Sequence, residues 1–126
     1  MSPQRLPVGW FEIYVDDMAR AQAFYEKVFE VKLQELNSPA IKMLAFPMPG
    51  DLPGCTGSLV KMPGAERPTG NAVIIYFSCQ DCAVEAARVA KNGGKIFKEK
   101  FSIGEYGFIA LVNDTEGNMI GLHSRK

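Results

Sequence analysis

Two stretches of the chain set apolar residues at helical spacing just after a short β-rich run that ends in aspartate. The first is Phe11-Glu12-Ile13-Tyr14-Val15-Asp16-Asp17, after which Ala21, Phe24, Tyr25 and Val28 recur at i, i+3, i+4 and i+7. The second is Ile75-Tyr76-Phe77-Ser78-Cys79-Gln80-Asp81, followed by Ala83, Ala86, Ala87 and Ala90 at the same spacing. The pattern predicts helices over 17–29 and 82–92. Asp17 and Asp81 suit their N-termini, because a carboxylate accepts from the open first-turn N–H groups and complements the positive helix end. Asn92-Gly93-Gly94 supplies the left-handed residue that stops the second helix. Segments around Met43–Phe46, Leu59–Met62, Lys95–Phe97 and Phe108–Val112 read as strands, with Pro and Gly clusters between them.

The two stretches are halves of a repeat. Asp17 and Asp81 lie 64 residues apart. A Gly-rich turn into a strand recurs as Gly54–Val60 and Gly117–His123, offset by 63. Each half therefore reads β-α-β-β-β, and neither alone buries both faces of a sheet. The expectation is an α+β fold in one domain, residues 1–126, made of two modules at about 6–62 and 70–125. Met62–Gly70 is the expected connection.

The chain has 126 residues, 47% hydrophobic and 22% charged, which suits one folded domain. Fourteen Lys and Arg balance fourteen Asp and Glu. A neutral chain has no excess charge to draw it onto a polyanion, so nucleic acid and anionic membrane are not expected as partners. No apolar run approaches the roughly 20 residues of a bilayer span. Met1–Arg5 leads into the first patterned segment without a signal-like apolar stretch. Cys55, Cys79 and Cys82 are too few and odd in number for a disulfide scaffold, and such sparse cysteines make a reducing cytoplasm the expected setting. His123 is the one histidine, which makes a triad or multi-histidine metal site hard to build.

The ordered set of motifs resembles the vicinal oxygen chelate superfamily, which includes glyoxalase I, bleomycin-resistance proteins and extradiol dioxygenases. The matching residues are Val15-Asp16-Asp17 with Arg20-Ala21 and Phe24–Phe29, then Asn92-Gly93-Gly94, then Tyr106-Gly107-Phe108 leading to Asn113–Ile120. The resemblance implies two paired βαβββ modules forming an eight-stranded open cup. It also implies metal ligands in many members: a His seven residues before each helix-capping Asp, and a Glu on the last strand of each half. Those positions here hold Trp10, Ile74, Ser58 and Gly121. None is an ordinary donor for a divalent ion, so no metal and no cofactor are expected.

Side chains alternate across a strand. If the vacated positions face inward, the lining is Trp10, Glu12, Tyr14, Ser58, Tyr76 and His123, with Gly121 leaving space. A one-residue slip would bring Phe11, Ile13, Ile75 and Phe77 inward instead. Glu12 and His123 are the candidates for proton transfer. Cys79-Gln80-Asp81-Cys82 is a C-x-x-C at a strand–helix junction, read as two core thiols with thiol redox chemistry as the alternative. A zinc site drawing on these thiols, Cys55 and His123 lacks a second C-x-x-C or C-x-x-H. The Pro-rich Phe46–Gly54 segment offers an apolar surface, and Gly104–Gly107 is a turn that suits a gate.

The leading expectation is a glyoxalase-like protein that binds a small organic molecule in a metal-free cup, by sequestration or by acid/base chemistry. The alternatives are a divalent-metal-dependent lyase, isomerase or dioxygenase using unorthodox ligands such as Glu12 and His123, and a thiol redox protein. A homodimer is expected, with the Phe46–Leu52 loop and Trp10 as its surface.

Overall fold

The computed structural model describes residues 6–38, 41–51, 53–62 and 72–126. Leu52 and residues 63–70 of the expected connection lie outside them. The elements run β1 (Val8–Tyr14), α1 (Met18–Phe29), β2 (Gln34–Glu35), β3 (Lys42–Ala45), β4 (Thr56–Lys61), β5 (Val73–Ser78), α2 (Cys82–Ala87), β6 (Lys95–Ser102), β7 (Phe108–Asn113) and β8 (Met119–Ser124). Among the described residues this is β-α-β-β-β twice, an α+β architecture of eight strands and two α-helices. The chain forms two compact units. One is Trp10–Val73; the other is Ile74–Lys126 with residues 6–9.

The first unit has strand order β2-β3-β4-β1, antiparallel except for the parallel β4–β1 pair. A parallel neighbour needs a crossover, and α1 lies within it. Asp17 caps α1, its Oδ1 accepting from Arg20 N at 3.0 Å. Met18, Leu33, Leu44 and Leu59 form the core, with Ile13, Val15, Ala21, Tyr25, Val31 and Phe46 packed around them. The helix thus buries Met18 and half-buries Ala21 and Tyr25. Phe24 and Val28, expected on the buried stripe, are 57% and 55% exposed. Aromatic contacts account for the rotation. Tyr25 stands perpendicular to Phe46 at 5.7 Å, and Phe46 leans on Phe11 at 5.7 Å. Phe24 is left outside, edge-on to Tyr25.

The second unit has order β5-β8-β7-β6, parallel at β5–β8 and antiparallel beyond. Its core is Cys79, Cys82, Ala86, Ala110, Val112 and Leu122. Asp81 caps α2 through Ala83 N at 3.0 Å and holds Lys100 Nζ at 2.8 Å. The Lys100 ammonium and the cap bond lower its carboxyl pKa. α2 is shorter than the spacing predicted. Arg88 N and Val89 N donate to Glu85 O and Ala86 O, three residues back, and a 3₁₀ turn over Ala90–Asn92 ends at left-handed Gly93. The buried stripe is Cys82 and Ala86 with half-buried Val89, while Ala83, Ala87 and Ala90 face water.

The repeated Gly-rich turn is visible as geometry: Gly54 and Gly117 both take positive φ, 96° and 85°. In the second copy Asp114 Oδ1 accepts from Glu116 N at 2.8 Å and Asn118 N at 2.9 Å, which closes the β7–β8 turn. The Asn113–Ile120 motif is in this respect a turn staple. β6, the last strand of its sheet, runs to Ser102 and carries two register shifts and three lysines. Irregularity and charge are devices that blunt an edge against pairing with another chain.

Gly57 sits opposite Phe11 in the β1–β4 pair, and a Cβ there would collide with the Phe11 ring and carbonyl. Gly57→Ala should cost about 1–3 kcal/mol by overpacking. Gly50→Ala, with nothing within 4 Å, should shift stability by no more than about 0.5 kcal/mol. Denaturant midpoints compare the two.

Candidate functional site

The β1 register decides which side chains share a face. Trp10 lies opposite Thr56, Glu12 opposite Ser58 and Tyr14 opposite Val60. Across β3, Ala45 lies opposite Ser58 and Met43 opposite Val60. Ile13, Leu44 and Leu59 belong to the core beside α1. Trp10, Glu12, Tyr14 and Ser58 therefore share the opposite, helix-free face with Met43, Ala45 and Val60. Trp10, Glu12 and Met43 are half-buried; Tyr14, Ala45, Ser58 and Val60 are buried. Tyr14 OH donates to Glu12 Oε1 at 2.8 Å. Ser58 is 0% exposed, and its Oγ has no hydrogen-bond partner among the described residues. A buried hydroxyl left so costs about 1–3 kcal/mol.

In the second unit Tyr76 lies opposite Gly121 and Ser78 opposite His123. Phe77, Ile120 and Leu122 pack with α2, so Tyr76, Gly121 and His123 take the helix-free face. The space expected at Gly121 is filled. A Cβ there would fall against Cδ1, Cε1 and Cγ of the Tyr76 ring, which is itself 5% exposed. His123 Nε2 bonds the Tyr106 carbonyl at 2.6 Å. A carbonyl only accepts, so Nε2 carries the proton and Nδ1 is the acceptor of the neutral ring. The Gly104–Gly107 turn, expected to suit a gate, is tied down by this bond, by Gly104 N to Ser102 Oγ at 3.2 Å and by Ile103 N to Gly107 O at 2.8 Å. Of the two proton-transfer candidates, Glu12 accepts from Tyr14 OH and His123 bonds the Tyr106 carbonyl.

The family-type metal positions do not fit an ion. In the first unit Trp10 offers no lone pair and Ser58 only a neutral hydroxyl. In the second, Ile74 offers nothing, and a carboxylate at 121 would need the volume of the Tyr76 ring. Among the described residues no three His, Cys, Asp or Glu side chains gather as ligands.

The C-x-x-C is built into the second core. Cys79 and Cys82 are 3% and 0% exposed. Burial, with Glu85 nearby, pushes the Cys79 thiol up to about 11. Thiol redox chemistry needs the opposite shift. Cys82 N donates to Ser124 Oγ at 3.0 Å, and that hydroxyl donates to Lys126 O at 2.9 Å. Cys55 is exposed and belongs to the other unit. Sequence patterns gave no sign of Ser124 as a distant cap, of Tyr106 O as the partner of His123, or of the Ser58 hydroxyl lacking one. The share of Met43 and Ala45 in the first face was within reach from the alternation of β3. A solvent-open depression of about 400 Å³ is lined by Glu35, Leu36, Asn37 and Ser38, none of them in the expected lining.

The family model for the Glyoxalase/Bleomycin resistance protein/Dioxygenase superfamily matches residues 8–122. A glyoxylase-like domain-containing protein of Didymella fabae is 32% identical over 122 residues, covering 94% of this chain and 93% of its own. Among solved structures, hypothetical protein BH1468 from Bacillus halodurans matches with a TM-score of 0.73 at 16% identity, over 94% of each chain. Methylmalonyl-CoA epimerase from Mycobacterium tuberculosis matches with a TM-score of 0.72 at 16% identity, over 100% of this chain and 93% of its own. At that identity the structural likeness is one of fold.

Two measurements check the thiols. In native protein an aromatic disulfide reagent should modify Cys55 quickly, and Cys79 and Cys82 only on unfolding. The folded state keeps the Cys79 proton to a higher pH than the unfolded state does. Its contribution is therefore full below about pH 9 and declines towards pH 11, by about 2–3 kcal/mol. Cys79→Val should lack that part of the alkaline slope.

Proposed function

The chain belongs to the Glyoxalase/Bleomycin resistance protein/Dioxygenase superfamily, and on that premise we propose that it binds a small, partly apolar organic molecule without a family-type divalent ion. The observation that carries the reading is the helix-free face of the first unit. There the Glu12 carboxylate, ordered by Tyr14, and the Ser58 hydroxyl stand among Trp10, Met43, Ala45 and Val60. A mostly apolar surface with a few placed polar groups is the usual make-up of a small-molecule site. The Tyr14 bond fixes one oxygen of Glu12. Glu12 then either anchors a donor group of a sequestered ligand or accepts a proton from it. Tyr76 and His123 are the residues proposed to touch a ligand on the second unit's own helix-free face.

The protein is further proposed to work as a homodimer. The expected Phe46–Leu52 surface contributes 52%-exposed Met48, whereas Phe46 packs inward. Phe24, Val28 and Phe29 add exposed apolar area along α1, and a chain of zero net charge meets its copy without net repulsion. Sedimentation at micromolar concentration should give twice the chain mass.

A thermal-shift and native mass-spectrometry screen of small organic molecules tests the main reading. For a ligand so found on the first unit's face Glu12→Gln, and for one on the second unit's face Tyr76→Phe, should weaken binding by about 1–3 kcal/mol where the polar group is used. Wild-type affinity in both folded variants would sink the proposal. Offered zinc, nickel or iron, the protein should not take up one ion per chain.

A further inference from the structure

Ser58 differs from every other polar group on its face. Its Oγ is fully buried and has no hydrogen-bond partner among the described residues. Its two cross-strand neighbours are one small and one half-buried side chain. Ala45, across β3, is the smallest side chain on that face, and Glu12, across β1, is half-buried. On this face Trp10, Glu12 and Met43 are half-buried, and Ala45, Ser58 and Val60 are buried. A fold that only needed to fill this position would be better served by alanine, which has no hydroxyl to desolvate.

Adjacent strands lie about 5 Å apart, so Glu12 and Ser58 at paired positions are neighbours on one face. A guest group between Ser58 and Glu12 therefore meets both. The carboxylate only accepts, and it accommodates more than one donor. The serine hydroxyl needs a partner of either sense. A carbonyl could satisfy Ser58 but would set its oxygen against the carboxylate. A carboxylate guest would be repelled by Glu12. An ammonium would pair with Glu12 and donate to Ser58, but its third N–H and its hydration shell would be given up among Trp10, Met43, Ala45 and Val60. A hydroxyl fits both neighbours, accepting from Ser58 Oγ while donating to Glu12. We propose that Ser58 and Glu12 together form the docking point for an alcoholic hydroxyl of an uncharged ligand. This rests on the reading that the Glu12 face binds a small organic molecule, and it names the group that the face recognises.

The test uses propylene glycol, its dimethyl ether and lactate as probes, with backbone amide resonances of β1, β3 and β4 as the readout. Propylene glycol should shift the amides around Ser58. The ether, which cannot donate to Glu12, and lactate, which carries a negative charge, should shift them at least fivefold less at equal concentration. Ser58→Ala should weaken propylene glycol about five- to tenfold. It should also leave the denaturant midpoint of ligand-free protein unchanged or raised, because no hydrogen bond is lost. A lowered midpoint would show that the hydroxyl is satisfied structurally and would overturn the inference. So would lactate or the ether binding as well as the diol, or no diol shift at Ser58. A screened ligand that loses affinity in Glu12→Gln but not in Ser58→Ala removes the Ser58 assignment alone and leaves the binding face standing. No ligand at all from the screen removes both.

Discussion

The register of β1 against β4 is the constraint on which the first unit depends. Period-two alternation means that a slip by one residue would send Glu12 and Tyr14 under α1 and bring Phe11 and Ile13 out. The Phe11 ring lying over Gly57 helps to pin this register, since only a residue without Cβ fits beneath it. The same ring supports Phe46, which supports Tyr25, and so sets the rotation of α1. One aromatic–glycine contact thus links strand register, helix orientation and the separation of an apolar face from a polar one.

The second unit also lays an aromatic ring on a glycine, Tyr76 over Gly121, but on the opposite face. The two halves of the repeat therefore share topology, caps and turns while differing in what they present. The first keeps a carboxylate and a buried hydroxyl on its helix-free face. The second fills the corresponding volume with a phenol ring and commits its histidine to a turn. A repeat that is symmetric in backbone is in this way asymmetric in chemistry.

Much of this was legible in the chain. The caps Asp17 and Asp81, the paired Gly-rich turns and the β-α-β-β-β order follow from local signals that act within a few residues. The division of faces in β1 and β5 followed from alternation once the resemblance had anchored which positions face inward. The helix stripes were legible only in part. Phe24 and Val28, or Ala83 and Ala87, satisfy helical spacing as well as the residues that are buried, and distant aromatic packing chooses between them. The end of α2 was misjudged because its alanines favour continuation, whereas i−3 bonding leading into Gly93 tightens the chain first. Site chemistry was least legible. The occupation of Gly121 by a ring, the tether on His123 and the unpartnered Ser58 all arise from contacts between strands far apart in sequence.

The bond from Cys82 N to Ser124 Oγ spans 42 residues. The first turn of α2 therefore lacks one of its partners until β8 exists. α1, by contrast, has Asp17 three positions before the N–H that it caps. As the chain leaves the ribosome, the Trp10–Val73 unit has its own strands and cap in hand while the next is still being made. The second unit must hold an incomplete helix start until its last strand arrives. Nascent-chain folding should accordingly proceed in two stages, with the later one exposed for longer to chaperones and to mispairing at the unfinished sheet.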